Sequence, residues 1–319
     1  MKRMIIKTIL FGIILFTTSL AQESQKEMAV TFDDLPLSHA SIYNAEEAKL
    51  LTEKIITNIK LSNVPAVGFV NENKVYFEER ELLPERVDLL KQWLDAGLEL
   101  GNHTFAHKSA NKVSVDEFEA DVIRGETILK KLLDERNLPL RYFRHPFLHT
   151  GRTLGKRDSI NTFLTSRGYT IAPVTIDNSE WIYCVAYERA CKSGDSTSIA
   201  MVGKDYVSYM KSKIEYYEGR SKALFGRDIK HILLIHANQI NADYFDDLCQ
   251  TINGMGYKFI TIEEALKDEA YKSENKFTGN WGISWMDRWA LTAGKTKEFF
   301  KDEPRVPKHI LELSGIDSE

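Results

Sequence analysis

Residues Ala29–Pro36 have the sequence AVTFDDLP, and the predicted fold is built around them. The apolar and β-branched residues at the start of the stretch are typical of a strand buried on both faces, and Pro36 predicts that the strand ends there. Two adjacent carboxylates, Asp33 and Asp34, stand just before this end. Because neighbouring side chains on a regular strand point to opposite faces, the two acids can converge on one centre only where the strand bends. The stretch alone leaves open both a site and a strand followed by a turn acid.

The composition is that of an ordinary globular protein. The chain has 319 residues, 43% of them hydrophobic, and a net charge of -4. A core of useful size is therefore possible, and no basic field is available to attract a polyanion. We expect no nucleic-acid partner, and the composition does not indicate an oligomeric state.

The first residues, 1–21, follow the pattern of a secretion signal. Basic residues lie within 2–7, a mostly apolar run covers 8–20, and small residues stand at the end of the segment. The apolar run is short for a membrane span. We predict a signal peptide over 1–21, export to the periplasm or the exterior, and no stable membrane insertion after its removal.

Cysteine usage permits at most one disulfide, because the chain has only Cys184, Cys191 and Cys249. A Cys184–Cys191 bond suits an oxidising compartment. Free, buried thiols remain the equal alternative.

After residue 21, short apolar runs alternate with longer amphipathic ones. Strands are predicted from residue 28 and at 66–70, 98–102, 140–143, 170–176, 231–235 and 257–262, and helices at 45–61, 82–96, 115–133, 157–167, 202–224, 243–252 and 263–271. This alternation predicts a parallel sheet covered on both faces, and about seven strands favour a closed or nearly closed barrel over an open sheet.

The alternation stops near residue 273. We predict one barrel domain over 22–272 and a C-terminal, aromatic-rich helical extension over 273–319 that packs on it. Trp281, Trp285 and Trp289 are four residues apart in this extension. Such spacing favours a packing face, and a sugar-stacking surface is the alternative.

Several polar residues stand just past the ends of predicted strands, where the chemistry of parallel barrels gathers. They are Asp33, Asp34, His103, Arg144, Asp177 and His236. His103 and His107 would share one face if their segment were helical, a common arrangement for holding a transition metal. With Asp34 as third ligand, they would form a catalytic metal site with an open position for water.

Five ordered motifs carry a resemblance to a known family. They are TFDD at 31–34, HTxxH at 103–107, FRxPF at 143–147, DxxEW at 177–181 and LxH at 234–236. Together they resemble the motifs of the polysaccharide deacetylases, the NodB-homology carbohydrate esterases. The resemblance implies a distorted (β/α) barrel and metal-dependent removal of acetyl groups from an acetylated glycan, with Zn²⁺ the usual ion and Co²⁺ a substitute.

The resemblance also implies roles for individual residues. Asp34, His103 and His107 would hold the metal, Asp33 would be the general base, and His236 the general acid. Arg144 would keep Asp33 ionised, since an adjacent cation lowers the pKa of a carboxyl group. Around the substrate, the backbone N–H of Phe147 would stabilise the oxyanion, and the side chains of Phe147 and Trp181 would line the acetyl pocket.

Two departures from the family pattern bear on these expectations. Glu180 stands where the family usually has an aspartate, so His236 could be tuned by Glu180 or by Asp177. His145 stands where a proline is common, and His149 follows it. We expect these two to be exposed loop histidines, with substrate contact as the alternative.

The predicted function is a secreted deacetylase of N-acetyl or O-acetyl groups on a glycan. A non-catalytic glycan-binding protein and an amidase acting on a small non-sugar amide are the alternatives. The long segment between Trp181 and His236 is expected to shape the substrate groove together with the C-terminal extension.

Overall fold

The computed structural model describes residues 25–319. Its strands are β1 Lys26–Leu35, β2 Val67–Val70, β3 Tyr76–Phe77, β4 Glu81–Leu82, β5 Glu99–Asn102, β6 Tyr142–Phe143, β7 Thr170–Ile171, β8 His231–His236 and β9 Tyr257–Phe259. The α-helices are α1 Ala45–Leu61, α2 Pro84–Asp95, α3 Val115–Arg124, α4 Thr127–Asp134, α5 Leu154–Ser166, α6 Glu180–Ser193, α7 Ser196–Phe225, α8 Gln239–Gly254, α9 Ile262–Leu266, α10 Trp285–Thr292 and α11 Lys308–Ser314. Short 3₁₀ turns lie at Ala40–Ile42, Glu72–Val75, Pro146–Leu148, Glu269–Lys272 and Lys297–Phe300.

Seven strands form one curled sheet, in the order β7-β6-β5-β2-β1-β8, with β9 paired to the start of β1. Every ladder in this sheet is parallel. A single parallel bridge between Ile176 and Leu233 joins the segment after β7 to β8. This bridge brings the two ends of the sheet together, so the predicted distorted (β/α) barrel is confirmed.

Strand β1 is the centre of the sheet because it pairs with three strands and is buried on both faces. Met28, Val30 and Phe32 have almost no solvent exposure. The ring of Phe32 makes edge contacts with Trp93 of α2 and Phe245 of α8, at centroid distances of 5.4 and 5.3 Å. Aromatic pairs of this geometry add to the burial energy, so helices on the outer face fix the strand that carries the two acids.

Two predicted elements are interrupted in the structure. The strand expected over 170–176 pairs with β6 only at Thr170–Ile171, because Pro173 cannot donate to a ladder and the chain crosses to β8 before pairing again. The helix expected over 115–133 has the predicted capping box of Ser114 and Glu117 but breaks into α3 and α4. At the break lies Gly125, whose missing Cβ leaves room for the backbone of Thr104 and Phe105.

Helix α6 was not predicted, and α7 is longer than expected. The two helices pack against each other and against α8. Helix α6 buries residues around much of its circumference, among them Ile182, Tyr183 and Ala186. It therefore lacks the single apolar stripe by which a surface helix is found in a sequence.

The C-terminal segment contacts the barrel through α10 and α11. Trp289 is buried at 3% exposure, Trp285 is half-buried, and Trp281 lies before α10 at 79% exposure. The three tryptophans therefore do not form one helical stripe. None of the helices within residues 25–319 has the length and apolar character needed to cross a bilayer. The predicted signal peptide lies outside the described residues.

Candidate active site

A β-bulge brings Asp33 and Asp34 to the same centre. The register of β1 against β2 shifts between Phe32 and Leu35, and Asp34 has a positive φ of 69°. Asp33 keeps its regular pairing with His236 of β8. The bend that lets the two acids converge thus lies within β1. Both carboxylates face the carboxyl end of the barrel.

The second motif is a loop, and the helical arrangement considered for His103 and His107 is wrong. Thr104 and His107 both have positive φ, at 67° and 53°. The Asn102 side chain accepts from the Thr104 N–H at 2.7 Å, and the Asp121 carboxylate accepts from the Ala106 N–H at 3.1 Å. These buried acceptors offset the cost of a left-handed backbone at residues other than glycine.

The loop aims two imidazoles at Asp34. Asp34 Oδ1 lies 3.6 Å from His103 Nε2 and 3.5 Å from His107 Nε2. His103 Nδ1 is 2.8 Å from the carbonyl oxygen of Arg144. A carbonyl can only accept, so Nδ1 carries the proton and Nε2 presents its lone pair to Asp34.

These three residues fit a divalent metal ion. Asp34 Oδ1 is buried and has no hydrogen-bond partner. Burial lowers the pKa of both histidines, which keeps them neutral as ligands must be. Burial alone would raise the pKa of Asp34, but its neighbours, the Lys74 ammonium first among them, outweigh it and hold that pKa far below its ordinary value. One carboxylate and two neutral imidazoles make a donor set suited to Zn²⁺ or a similar ion.

Asp33 sits on the other side of the same centre, held by Arg144. Arg144 Nη1 lies 3.3 Å from Asp33 Oδ2, and its Nη2 donates to Thr31 Oγ1 at 2.9 Å. Burial raises the pKa of Asp33 to about 6, and the guanidinium opposes a larger rise. Asp33 is therefore mostly ionised at neutral pH yet basic enough to accept a proton.

His236 approaches from the end of β8 and rests on a buried carboxylate. Its Nδ1 lies 2.7 Å from Glu180 Oε2, and Asn241 donates to Glu180 Oε1 at 2.6 Å. Tyr206 of α7 in turn donates to the Asn241 side chain at 2.6 Å. Burial alone would lower the pKa of His236, but Glu180 raises it to about 9. Residues of α6 and α7 thus hold Glu180 and Asn241 beside this histidine.

The third motif forms the rim. Phe147 and Leu148 have φ of 56° and 53°. The Phe147 ring lies 4.3 Å from the ring of His107 and is half exposed. Trp181, in the first turn of α6, is also half exposed.

The C-terminal segment holds this rim in place. Arg288 is buried and donates to Thr150 Oγ1 at 3.0 Å and to the carbonyl oxygen of Leu148. Gly282 packs so closely on Phe147 that a Cβ there would lie 1.7 Å from the Phe147 carbonyl oxygen. The extension is thus part of the wall of the candidate site.

Expectations about two neighbouring histidines need correction. His145 is not an exposed loop residue. It is buried against Phe118 and Phe143, and burial lowers its pKa to about 3. His149 is only partly exposed, and its Nδ1 lies 2.7 Å from Ser109 Oγ.

Of the two acids left open as the partner of His236, the structure has Glu180. His236 makes its carboxylate contact with Glu180, and Asp177 is instead within the electrostatic reach of Lys213 and Arg288. Burial raises the pKa of Asp177. The extra methylene of Glu180 is accommodated without a change of partner.

Sequence reasoning missed Lys74. Its Nζ lies 3.2 Å from Asp34 Oδ2 and donates to the backbone carbonyls of Asp34 and Ser38 at 3.1 and 3.2 Å. Lys74 follows the end of β2, so the strand-end rule that found the other residues could have found it. The ammonium group orients Asp34 so that Oδ1 faces the imidazoles.

The cysteines are free. Cys184 and Cys191 lie two turns apart on α6, and of the alternatives left open by the sequence the structure has the one without a disulfide.

Part of the chain matches a known protein family. The polysaccharide deacetylase family model matches residues 21–161, which contain the first three motifs. A peptidoglycan-N-acetylglucosamine deacetylase of Bacillus cereus is 27% identical over 158 residues, or 50% of this chain and 47% of that protein. The chain thus spans about half the length of this curated relative.

Solved structures show the same fold. A polysaccharide deacetylase from Bacillus cereus has a TM-score of 0.51 at 16% identity, over 74% of this chain and 92% of that one. A mutant of a CE4 family pseudoenzyme has a TM-score of 0.52 at 17% identity, over 76% and 68% of the two chains. The family model supports the resemblance over the first three motifs, and these structures confirm the fold that it implies.

Proposed function

We propose that this chain, whose residues 21–161 match the polysaccharide deacetylase family model, is a metal-dependent deacetylase of an acetylated glycan. The observation that carries the proposal is the convergence of Asp33, the Asp34–His103–His107 donor set and His236 at one end of the barrel. Fold alone would not suffice, since one structural neighbour is described as a pseudoenzyme. A binding protein has no need of a buried base beside an acid.

Asp34, His103 and His107 would hold the ion, whose Lewis acidity would lower the pKa of a bound water toward about 7. Asp33 accepts the proton of the attacking water, and Arg144 keeps the carboxylate ionised and oriented. The backbone N–H of Phe147 donates to the carbonyl oxygen as negative charge develops on it. These residues act on the acetyl carbon while its bond to nitrogen or oxygen is still intact.

His236 completes the reaction by protonating the leaving group. Its Nδ1–H is committed to Glu180, so Nε2 is the nitrogen that can donate. The bond from the acetyl carbon to the sugar nitrogen breaks as that nitrogen takes the proton, giving acetate and an amine. An imidazole whose pKa is about 9 is charged at neutral pH and ready for this step.

The substrate we propose is an N-acetylated glycan, with peptidoglycan the first to test because of the relative described above. The exposed rings of Phe147 and Trp181 would flank the acetyl group. Export, as predicted from residues 1–21, would place the protein beside such a polymer.

The test is acetate release by the Zn²⁺- or Co²⁺-loaded protein from peptidoglycan, chitin oligomers and acetylxylan, with products identified by mass spectrometry. We expect acetate from at least one glycan and none after chelation. No acetate from any of them, with the metal shown to be bound, would refute the proposal. Release from a small acetamide alone would favour the amidase alternative.

A further inference from the structure

We infer that His39, Cys184 and Glu188 form a second metal site, distinct from the one at Asp34. Cys184 and Glu188 lie one turn apart on α6, so their side chains share a face. His39 faces them from the loop that follows β1. The three residues each offer a ligand atom, and these atoms all lie within 4.8 Å of one another. This inference does not depend on the proposed deacetylase activity.

The separations between the ligand atoms lie on both sides of those expected around a tetrahedral ion. With bonds of about 2.3 Å to sulfur and about 2.0–2.2 Å to nitrogen and oxygen, tetrahedral ligands lie roughly 3.3–3.6 Å apart. Here Cys184 Sγ is 3.4 Å from Glu188 Oε1 and 4.0 Å from His39 Nδ1. His39 Nδ1 is 2.8 Å from Glu188 Oε2. The two contacts to Glu188 use different oxygens, so a single oxygen would act as the ligand. Rotations of the His39 and Glu188 side chains would then bring the three separations to the tetrahedral range.

The identity of the donors selects the class of ion. Burial and Glu188 raise the pKa of the Cys184 thiol, so an ion that binds there would displace its proton. One thiolate, one imidazole and one carboxylate then favour a borderline-soft ion such as Zn²⁺ over Mg²⁺ or Ca²⁺, which take oxygen ligands. Tyr43 donates to Glu188 Oε1 at 3.0 Å. A hydrogen bond to a ligating carboxylate orients it, as is usual around bound metals.

The site is accessible and leaves a coordination position open. His39 and Glu188 line a cleft of about 900 Å³ that also includes Tyr43, Cys191 and Gln239. The side chain of His39 is 41% exposed, whereas Cys184 is buried. An ion can therefore enter from the cleft, and the fourth position would face solvent or a ligand held there.

The test is a Co²⁺ titration of the metal-free full chain under reducing conditions, read by absorption and by metal content. Thiolate bound to Co²⁺ gives an intense charge-transfer band that a carboxylate–imidazole site cannot give. We expect the band in the unmodified protein and also in His103→Ala, where the first site has lost a ligand. Cys184→Ser should lose the band and one bound ion per chain.

Cys191→Ser is the matched control, since Cys191 lies on the same helix and lines the same cleft. It should keep the band. Absence of the band in the unmodified protein would overturn the inference, and so would its persistence in Cys184→Ser. Circular dichroism of each variant would show whether a lost band reflects a lost fold. Because His103→Ala retains only the second site, this result does not depend on whether the protein deacetylates a glycan.

Discussion

Glu180 Oε2 lies 2.7 Å from His236 Nδ1. Two asparagine side chains, of Asn238 and Asn241, donate to the other oxygen of Glu180. The carboxylate is fully buried, so its charge acts on the imidazole with little screening by solvent. This pair sets the protonation state of the proposed acid.

The first prediction concerns the basic limb of the pH profile. His236 must be protonated to donate, and Glu180 raises its pKa to about 9. Activity should therefore be retained through neutral pH and fall as pH rises through about 9. Glu180→Gln removes the charge and keeps the volume, so the fall should move toward 6.5, the ordinary value. The measurement is kcat/KM against pH for both proteins.

Asp177→Asn is the control for this prediction. Asp177 is the other acid of the same motif, but the positive charges that act on its carboxylate are those of Lys213 and Arg288. Its substitution should leave the basic limb near pH 9. A limb that moves equally in both variants would contradict the assignment of Glu180 as the partner of His236.

The second prediction separates the two acids of β1. Asp34→Asn should abolish binding at the first metal site, because it replaces the carboxylate that faces both imidazoles. Asp33→Asn should bind metal there but lose the base, which lowers kcat by about 10²–10⁴-fold. Measurements of metal content and acetate release on both variants test this. If Asp33→Asn lost the ion as well, Asp33 would be a ligand.

The sequence predicted the fold well because buried strands leave a strong pattern. Apolar runs marked β1, β2 and β8, and the helices between the strands predicted that the strands are parallel. The strand-end rule also placed Asp33, His103 and His236 near one another. These features depend on burial, which appears in a single sequence as runs of apolar residues.

What the sequence could not predict depends on contacts from elsewhere in the chain. The left-handed conformations of Thr104 and His107 are held by Asn102 and Asp121, and no glycine marks them. The interruption of the helix at Gly125 reflects the loop packed against it. The burial of His145 arises from rings of two separate elements, α3 and β6. Local propensity carries no record of such contacts.

The third prediction tests whether the C-terminal segment holds the rim of the site. In Gly282→Ala the new Cβ would meet the Phe147 carbonyl oxygen at 1.7 Å, so the loop must move. A displacement of about 1 Å can cost about 10²-fold in rate. We expect kcat to fall by about that factor with the metal content of the first site unchanged.

Gly219→Ala is the matched control. Gly219 lies within α7 with nothing within 4 Å of the position of a new Cβ. Alanine there should stabilise the protein by about 0.5–1 kcal/mol and leave kcat unchanged. Equal losses of activity in the two variants would argue against a specific role of Gly282 at the rim.

The last prediction distinguishes two tryptophans of the extension. Trp289 is buried at 3% exposure. Its ring packs edge-on against Phe225 and Tyr271, with ring centroids 5.7 and 5.6 Å apart. Trp289→Ala should cost about 3–5 kcal/mol of unfolding free energy. Trp281 is 79% exposed and precedes Gly282, which packs on the Phe147 loop. Trp281→Ala should leave the unfolding free energy unchanged within about 0.5 kcal/mol.

If Trp281 stacks on a sugar beside the cleavage site, its removal should raise KM for a polymeric glycan. The expected rise is about 2- to 10-fold, equivalent to roughly 0.5–1.5 kcal/mol. A small acetamide, too short to reach Trp281, should be processed with the same KM by both proteins. Denaturant unfolding together with kinetics on both substrates separates packing from recognition. If KM for the polymer does not change in Trp281→Ala, Trp281 has no role in binding the glycan.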